Sequence, residues 1–201
     1  MSKQARTDHP IQEALAARWS PYGYADSPVA DEDLRSILEA ARWSASAFNE
    51  QPWNYVVARR SDGEHYDRIL SCLVEANQAW AKAAPVLVLT VVAESYSRNG
   101  KPNGSAVHDL GQASANLTTE ATARGISVHQ MAGIDPDKAR ELFGIPAGYR
   151  AVTGLAIGYA ADPESLPEEL GQRDTAPRQR KSLRDFVFTG RWGEAAPLLE
   201  G

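Results

Sequence analysis

Apolar residues recur at intervals of three and four along two early stretches of the chain, which is the spacing of an amphipathic helix. The first predicted helix has Pro10 in its first turn, with Thr7 or Asp8 as its N-terminal cap. The second begins near Asp31, where acidic residues in the first turn suit the helix dipole, and Pro52 lies beyond its end. The residues that share a face are Ile11, Ala14, Leu15 and Arg18 in the first helix and Leu34, Ile37, Leu38 and Ala41 in the second.

Four shorter stretches are rich in β-branched and other apolar residues, and these predict strands. The helical segments between them include one that opens at Asp135-Pro136 and closes at Gly144. Strands and helices alternate without a repeat or a linker, so residues 1–201 are predicted to form a single α+β domain. The predicted strands are 54–59, 86–93, 126–130 and 151–157, and the predicted helices are 63–81, 105–124 and 136–143.

Composition and charge narrow the class of protein. The chain has 201 residues, of which 43% are hydrophobic, and this is enough to bury a core. Its net charge of −5 disfavours nucleic acid as a partner, because such proteins usually carry a basic patch. Cys72 is the one cysteine, which excludes an internal disulfide and fits a reducing compartment. The longest apolar run, 83–93, is too short to span a membrane, and the first ten residues lack the apolar core of a signal peptide. We therefore expect a cytoplasmic protein.

The sequence lacks the motifs of several common chemistries. It contains no G-x-S-x-G nucleophile elbow, no G-x-G-x-x-G and no P-loop. No histidine is placed by sequence to activate Cys72, which is more typical of a core cysteine. The histidines also lack the spacing of metal ligands. We therefore predict no catalytic side chain and no metal site. The four histidines are His9, His65, His108 and His129.

Four polar clusters at the ends of predicted elements favour a cofactor site instead. Residues 44–53 (SASAFNEQPW) end a helix with more amides and hydroxyls than one cap requires. Residues 18–22 (RWSPY) place an arginine beside a serine, a pair that suits phosphate, although the helix dipole explains such an arginine equally well. Residues 129–135 (HQMAGID) suit either a turn with amides facing a ligand or an ordinary turn before a helix. Residues 178–181 (RQRK), taken alone, are more typical of a solvated charge run.

In combination and in order, these clusters resemble the FMN-dependent nitroreductases. The family's Arg-x-Ser pattern near the end of the first helix is matched by Arg18 and Ser20. Asn77 corresponds to an asparagine ahead of the apolar strand, and residues 131–133 (MAG) match a glycine-bearing turn. The basic pair near the end of the family's chain and its Pro-Ser-x-x-Asn-x-Gln-Pro-Trp segment are also matched. Those positions are Arg178 and Arg180 for the pair, and Ala45 (in place of proline), Ser46, Asn49, Gln51, Pro52 and Trp53 for the segment.

The resemblance implies a nitroreductase-like fold, in which helices flank a mostly antiparallel central sheet and the C-terminal segment, 163–201, extends onto a partner subunit. It implies a homodimer with FMN at the interface, reduced by NAD(P)H and reoxidised by a small acceptor such as a nitroaromatic or a quinone. One subunit would supply Ser46 and Asn49, and the other would supply the phosphate-binding arginines and an amide near flavin N5. The residues implied to contact FMN are Arg18, Trp19, Ser20, Tyr22, Ala45, Ser46, Asn49, Asn77, Met131, Ala132, Gly133, Arg178 and Arg180.

Two positions depart from the family's pattern, since many members carry a basic residue where this chain has Tyr22 and another where it has Trp80. Positive charge near the pyrimidine edge favours the anionic reduced flavin, so its loss is expected to lower the flavin potential. Trp80 is a candidate for narrowing the pocket or stacking on a substrate. Two other functions stay open: a flavin-dependent desaturase or dehydrogenase on the same scaffold, and a flavin-binding module without turnover.

Overall fold

A four-stranded antiparallel sheet forms the centre of the protein, whose computed structural model describes residues 3–199. The strand order is β1-β2-β4-β3, so β1 and β3 lie at opposite edges. Every neighbouring pair is antiparallel, and one bulge interrupts the register of β2 and β4 after Thr90. The sheet agrees with the predicted α+β class. The strands are β1 (Trp53–Arg59), β2 (Val86–Ala93), β3 (Ser127–Met131) and β4 (Tyr149–Gly158).

Helices cover both faces of this sheet. The long helix α5 and α2 pack together on one face, where α5 presents Ala113, Leu117 and Ala121 to the core. Helices α3, α4 and α6 contribute to the core on the other face. The helices are α1 (Glu13–Ala17), α2 (Asp31–Arg42), α3 (Glu64–Ser71), α4 (Glu75–Ala81), α5 (Ala106–Ala123), α6 (Pro136–Phe143) and α7 (Glu168–Thr175).

Strand β2 lies at the centre of the core, because every residue from Val86 to Val92 is buried. Its side chains alternate between the two faces, as the period of a strand requires. Leu87 and Leu89 belong to the cluster formed with α3, α4 and α6, whereas Val86 and Val88 belong to the cluster formed with α2 and α5. Burial on both faces explains why this strand is a continuous apolar run in the sequence.

The first predicted helix is wrong at its start, because α1 begins at Glu13 and Gln12 has an extended backbone. Neither Thr7 nor Asp8 caps it, and Pro10 precedes it. The reason is that the apolar face has little to pack against within this chain: Ile11 is 51% exposed and Leu15 is 46% exposed. Tertiary burial supplies most of the stability of short helices, so a helix without it stays short.

The single helix predicted over 63–81 is also wrong, because residues 72–74 are not helical and separate α3 from α4. The backbone of residues 72–74 forms hydrogen bonds with residues 133–135. Val74 N–H donates to the Gly133 carbonyl at 3.0 Å, and the Cys72 carbonyl accepts from Asp135 N–H at 2.7 Å. These tertiary bonds replace the bonds that a continuous helix would have formed.

The C-terminal segment has secondary structure of its own. It contains α7, and a short antiparallel bridge joins Phe188 to Ala195. Trp192 lies between the bridged residues and is 93% exposed. The extension onto a partner subunit stays a prediction, as does the single-domain assignment, and residues 200 and 201 lie outside the described part of the chain.

Within residues 3–199, no helix combines the length and the apolar character needed to cross a membrane. The cytoplasmic location stays a prediction.

Candidate functional site

A basic cavity of about 650 Å³ lies between the N-terminal segment and the C-terminal segment. Arg18, Arg178 and Arg180 line it, as predicted for a phosphate-binding group, although the sequence separates Arg18 from the other two by about 160 residues. Arg6 and Lys181 line it as well, against one acidic residue, Asp8. The cavity therefore carries an excess of positive charge that suits an anion.

The effect of this excess positive charge is evident in the pKa of Arg18. Burial lowers the pKa of its guanidinium, and the nearby charges of Arg178 and Arg180 lower that pKa further. Within residues 3–199, none of these three arginines forms an ion pair with a carboxylate. Arg18 donates one hydrogen bond, from Nη1 to Ser20 Oγ at 3.0 Å, which leaves most of its N–H groups for a ligand.

Arg178 has a positioning role in addition to its charge. Its Nη1 donates to the Ala16 carbonyl at 2.7 Å and to the Lys3 carbonyl at 2.8 Å. The carbonyl of Ala16 lies in the last turn of α1, where a cation is favoured by the helix dipole. Arg178 therefore attaches the C-terminal segment to the end of the helix from which Arg18 follows.

A buried carboxylate fixes the loop that follows Arg18. Asp174 of α7 is 2% exposed, and it accepts hydrogen bonds from Tyr22 N–H at 2.9 Å and from Gly23 N–H at 3.2 Å. On the other side of the loop, His129 Nδ1 donates to the Pro21 carbonyl at 2.8 Å. Three consecutive residues of the loop are thus bound to a distant helix and to β3, and Ser20, which precedes them, is hydrogen-bonded to Arg18 of the cavity.

Tyr22, Trp80 and His129 form one aromatic cluster. The ring centroids of Trp80 and His129 are 4.4 Å apart, and the Tyr22 ring meets each of them edge-on at 5.1 and 4.8 Å. Burial lowers the pKa of His129, so its imidazole is neutral at pH 7. Trp80 is 5% exposed and stacks on His129, which makes it part of the core and leaves little of it for stacking on a substrate. The two departures from the family's pattern therefore replace charges with an uncharged, packed group.

The turn at residues 131–133 lies against α4, which carries Asn77. Asn77 Nδ2 donates to the Gly133 carbonyl at 3.2 Å. Gly133 is required here, because a Cβ atom would lie 2.7 Å from Val74 Cγ2 and 2.9 Å from Asn77 Nδ2. In the described part of the chain the Gly133 N–H has no acceptor. Met131 is buried and Ala132 is exposed.

The segment 44–51 forms a second group of predicted site residues. Ala47 N–H donates at 3.1 Å to Asp109, a carboxylate of α5 that is 2% exposed. Ser46 Oγ accepts from Gln51 N–H at 3.0 Å, so its hydroxyl proton is free to donate outwards. Asn49 is exposed, and within residues 3–199 its side-chain amide has no hydrogen-bond partner. Ala45 is exposed on the same segment.

The two groups do not meet within one chain. Segment 44–51 precedes β1 and the turn 131–133 follows β3, so both lie at the same end of the sheet but at opposite edges. Three strand spacings separate β1 from β3, which is about 14 Å. Trp19 belongs to neither group, because it lines a separate cavity of about 440 Å³ with Lys3 and Asp162. The contact of every one of these residues with a cofactor stays a prediction.

Sequence reasoning missed several residues that shape the site. No site role was predicted for Asp109, His129 or Asp174. Each acts on a residue at least 62 positions away, so no local pattern signals it. Arg6 was missed because it lies in a segment that precedes the first helix. No group of three His, Cys, Asp or Glu side chains within residues 3–199 is placed to hold a metal ion.

Comparison with known proteins identifies the family and the fold. The sequence model of the nitroreductase family matches residues 15–76 and 72–159, more than half of the chain. The chain is similar to the major NAD(P)H-flavin oxidoreductase of Aliivibrio fischeri. The two are 27% identical over an alignment of 231 positions, gaps included, which covers 89% of this chain and 98% of that protein. It aligns with the crystal structure of an oxidoreductase containing FMN at a TM-score of 0.87 and 35% identity, covering 94% of this chain and 96% of that one.

A more distant structure indicates the shared fold. The nitroreductase family protein from Streptococcus pneumoniae TIGR4 has 20% identity and a TM-score of 0.70, with 88% of this chain and 98% of that chain covered. The nitroreductase-like fold predicted from the sequence is thereby confirmed.

We predict that Asp174→Ala lowers the free energy of unfolding by about 1–3 kcal/mol, because the N–H groups of Tyr22 and Gly23 lose their acceptor in a buried place. Urea unfolding followed by circular dichroism measures this. Glu169→Ala is the matched control, since Glu169 is an exposed carboxylate of the same helix and should change stability by less than about 0.5 kcal/mol. Equal stability of the two variants would contradict the role given to Asp174.

Proposed function

The chain belongs to the nitroreductase family, and from that premise we propose that it is an oxidoreductase that passes hydride from NAD(P)H through bound FMN to a small acceptor, such as a nitroaromatic or a quinone. The observation that supports this most directly is the arginine cluster. Arg18, Arg178 and Arg180 come together around a cavity with no carboxylate paired to any of them within residues 3–199. A phosphate group is the complement of such a cluster.

The residues fit FMN at both of its ends. The cluster of arginines suits the terminal phosphate, since a guanidinium offers several N–H donors in a planar fork. The flavin ring needs separate directional partners, and three groups have free hydrogen-bonding capacity: the Ser46 hydroxyl, the Asn49 amide and the Gly133 N–H. We propose that Asn77, which already supports Gly133, completes this set.

When bound, FMN would supply the hydride chemistry by carrying reducing equivalents from NAD(P)H to the acceptor. The protein binds and orients the ring, and no side chain has to act as a catalytic acid. The side chains of Tyr22, Trp80 and His129 are themselves uncharged, and the Arg173 guanidinium lies 5.1 Å from the centroid of the Tyr22 ring. A cation near the pyrimidine edge stabilises negative charge on a flavin, so we expect a lower flavin potential here than with basic residues at these positions.

A homodimer would bring the two groups of residues together. Segment 44–51 and the turn 131–133 lie at opposite edges of one sheet, so a complete site needs both groups from neighbouring copies. The apolar residues left exposed on the N-terminal and C-terminal segments support such an interface. They are Ile11, Leu15, Phe186 and Trp192. A two-fold interface would generate two equivalent sites.

We predict that the purified protein is yellow and that denaturation releases FMN rather than FAD. The reason is that the arginine cluster suits a terminal phosphate. Chromatography of the released flavin measures this, and the spectrum before and after anaerobic NAD(P)H shows whether the flavin is reduced. Recovery of FAD, or a colourless protein that ignores added FMN, would contradict the proposal. Bound flavin that NAD(P)H fails to reduce would instead favour a binding module without turnover.

Arg18→Ala should weaken FMN binding by about 1.5–3 kcal/mol, roughly ten- to a hundredfold, because a charged hydrogen bond to the phosphate is lost. Titration of the apoprotein with FMN measures the dissociation constant. Arg35→Ala is the control, since Arg35 is an exposed arginine of α2 and lies outside the cavity. If Arg18→Ala binds FMN as tightly as Arg35→Ala does, Arg18 serves only the end of its helix.

Mixed dimers test whether the site is shared between subunits. Suppose that Arg18→Ala and Asn49→Ala each abolish flavin-dependent activity. A dimer of one Arg18→Ala chain and one Asn49→Ala chain should then contain one site with both substitutions and one site with neither. Random exchange makes about half of the dimers mixed, so about a quarter of all sites should be restored.

The two variants are unfolded and refolded together, and NAD(P)H oxidation is compared with that of each variant refolded alone. Mass spectrometry confirms that mixed dimers form. If mixed dimers form and no activity returns, both residues serve one pocket of a single chain and the shared site is wrong.

A further inference from the structure

Three residues close to one another hold left-handed backbone conformations. Phe48 and Asn49 have φ of 56° and Gln51 has φ of 53°. Asparagine tolerates this region, but a bulky residue such as phenylalanine seldom occupies it. Backbone strain of this kind persists only where the surroundings impose it, and it concentrates at ligand sites. The strain coincides with the segment that carries Ser46 and Asn49, which we propose as flavin contacts.

The strained backbone exposes an aromatic ring next to those contacts. Phe48 is 70% exposed, and the adjoining loop supplies its neighbours. The Arg98 guanidinium lies 3.9 Å from the centroid of the Phe48 ring and 5.3 Å from that of Tyr96. The Tyr96 ring meets Phe48 edge-on at 5.7 Å. An exposed phenylalanine, a tyrosine and an arginine thus form one cluster that includes a residue of the predicted flavin-binding segment.

Arg98 keeps its charge and its in-plane donors available. Within residues 3–199 it forms no hydrogen bond or ion pair. The nearby Glu50 accepts a hydrogen bond from Ser97 N–H at 2.6 Å through Oε1, which joins the loop to the strained segment, and the Arg98 charge contributes to lowering the pKa of Glu50. A guanidinium that stacks on a ring through its face leaves its N–H edge free for a carboxylate or a sulfonate.

We propose that the cluster of Phe48, Tyr96 and Arg98 selects the electron acceptor, and that it favours planar aromatic or quinoid molecules that carry a carboxylate or sulfonate. The rings supply apolar contact for the planar part, and Arg98 binds the anionic group. This proposal rests on the proposed function, because the cluster adjoins the segment assigned to the flavin.

Binding of an anionic ligand and of its neutral counterpart tests the role of Arg98 without turnover. Isothermal titration calorimetry gives the dissociation constants of naphthalene-2-sulfonate and naphthalene-2-sulfonamide for the FMN-loaded protein. Arg98→Gln should weaken binding of the sulfonate about five- to tenfold and binding of the sulfonamide less than about twofold. Lys101→Gln is the matched control, because it removes one positive charge from the same loop and should change neither constant by more than about twofold.

Steady-state kinetics supply a second measurement. NAD(P)H and one proton together reduce a quinone to its hydroquinone, with two electrons and two protons transferred. Arg98→Gln should lower kcat/KM for 1,4-naphthoquinone-2-sulfonate about five- to tenfold and leave that for 1,4-naphthoquinone within about twofold. Phe48→Leu should lower kcat/KM for both quinones by the same factor, since it removes aromatic contact and no charge.

Several outcomes would overturn the acceptor assignment: no binding of the sulfonate by the unmodified protein, equal losses for charged and neutral ligands in Arg98→Gln, or the same loss in Lys101→Gln. These outcomes differ from failure of the proposed function. A protein that binds FMN and is reduced by NAD(P)H but shows no preference dependent on Arg98 retains the function and loses only this assignment. A protein that binds no FMN loses the function itself.

Discussion

The antiparallel order β1-β2-β4-β3 is the constraint on which the candidate site depends. It places the start of β1 and the end of β3 at the same end of the sheet but at opposite edges. Apart from Trp19, the proposed flavin contacts fall into two groups. The arginine cluster and the Gly133 N–H belong to one group, whereas Ser46 and Asn49 belong to the other. The strand order thus makes a shared site between two copies the simplest arrangement that uses both groups.

Two buried aspartates position the two groups in the same way. Asp109 of α5 holds the backbone of the segment before β1, and Asp174 of α7 holds the loop after Arg18. A buried carboxylate without a cation is costly unless hydrogen bonds compensate it. Here the compensation comes from backbone N–H groups of the loops that need to be fixed, so the same contacts that stabilise the carboxylates also orient the site.

The sequence predicted the sheet and helices α2, α5 and α6 well because their patterns are local. The continuous apolar run of β2 and the cap and stop signals around α6 are complete within a few residues, and the structure agrees with both. The interruption of the helix at residues 72–74 was missed because its cause is the hydrogen bonds with Gly133 and Asp135, about 60 residues away. The arginine cluster was expected only through the resemblance, since Arg18 and Arg178 meet across almost the whole length of the chain. No local pattern shows that they share a cavity.

The strain at Phe48 has a consequence for how the site binds ligands. A left-handed bulky residue costs roughly 1–3 kcal/mol, which the contacts of its segment have to offset. The contacts of this segment include Ala47 N–H with Asp109 and Ser97 N–H with Glu50. They restrict the backbone that carries Asn49 and Phe48. A ligand that binds to a restrained backbone loses less free energy to ordering the protein, so strain that lowers folding stability is compatible with tighter binding. The three left-handed non-glycine residues coincide with the proposed flavin contacts, as expected for strain stored at a binding site.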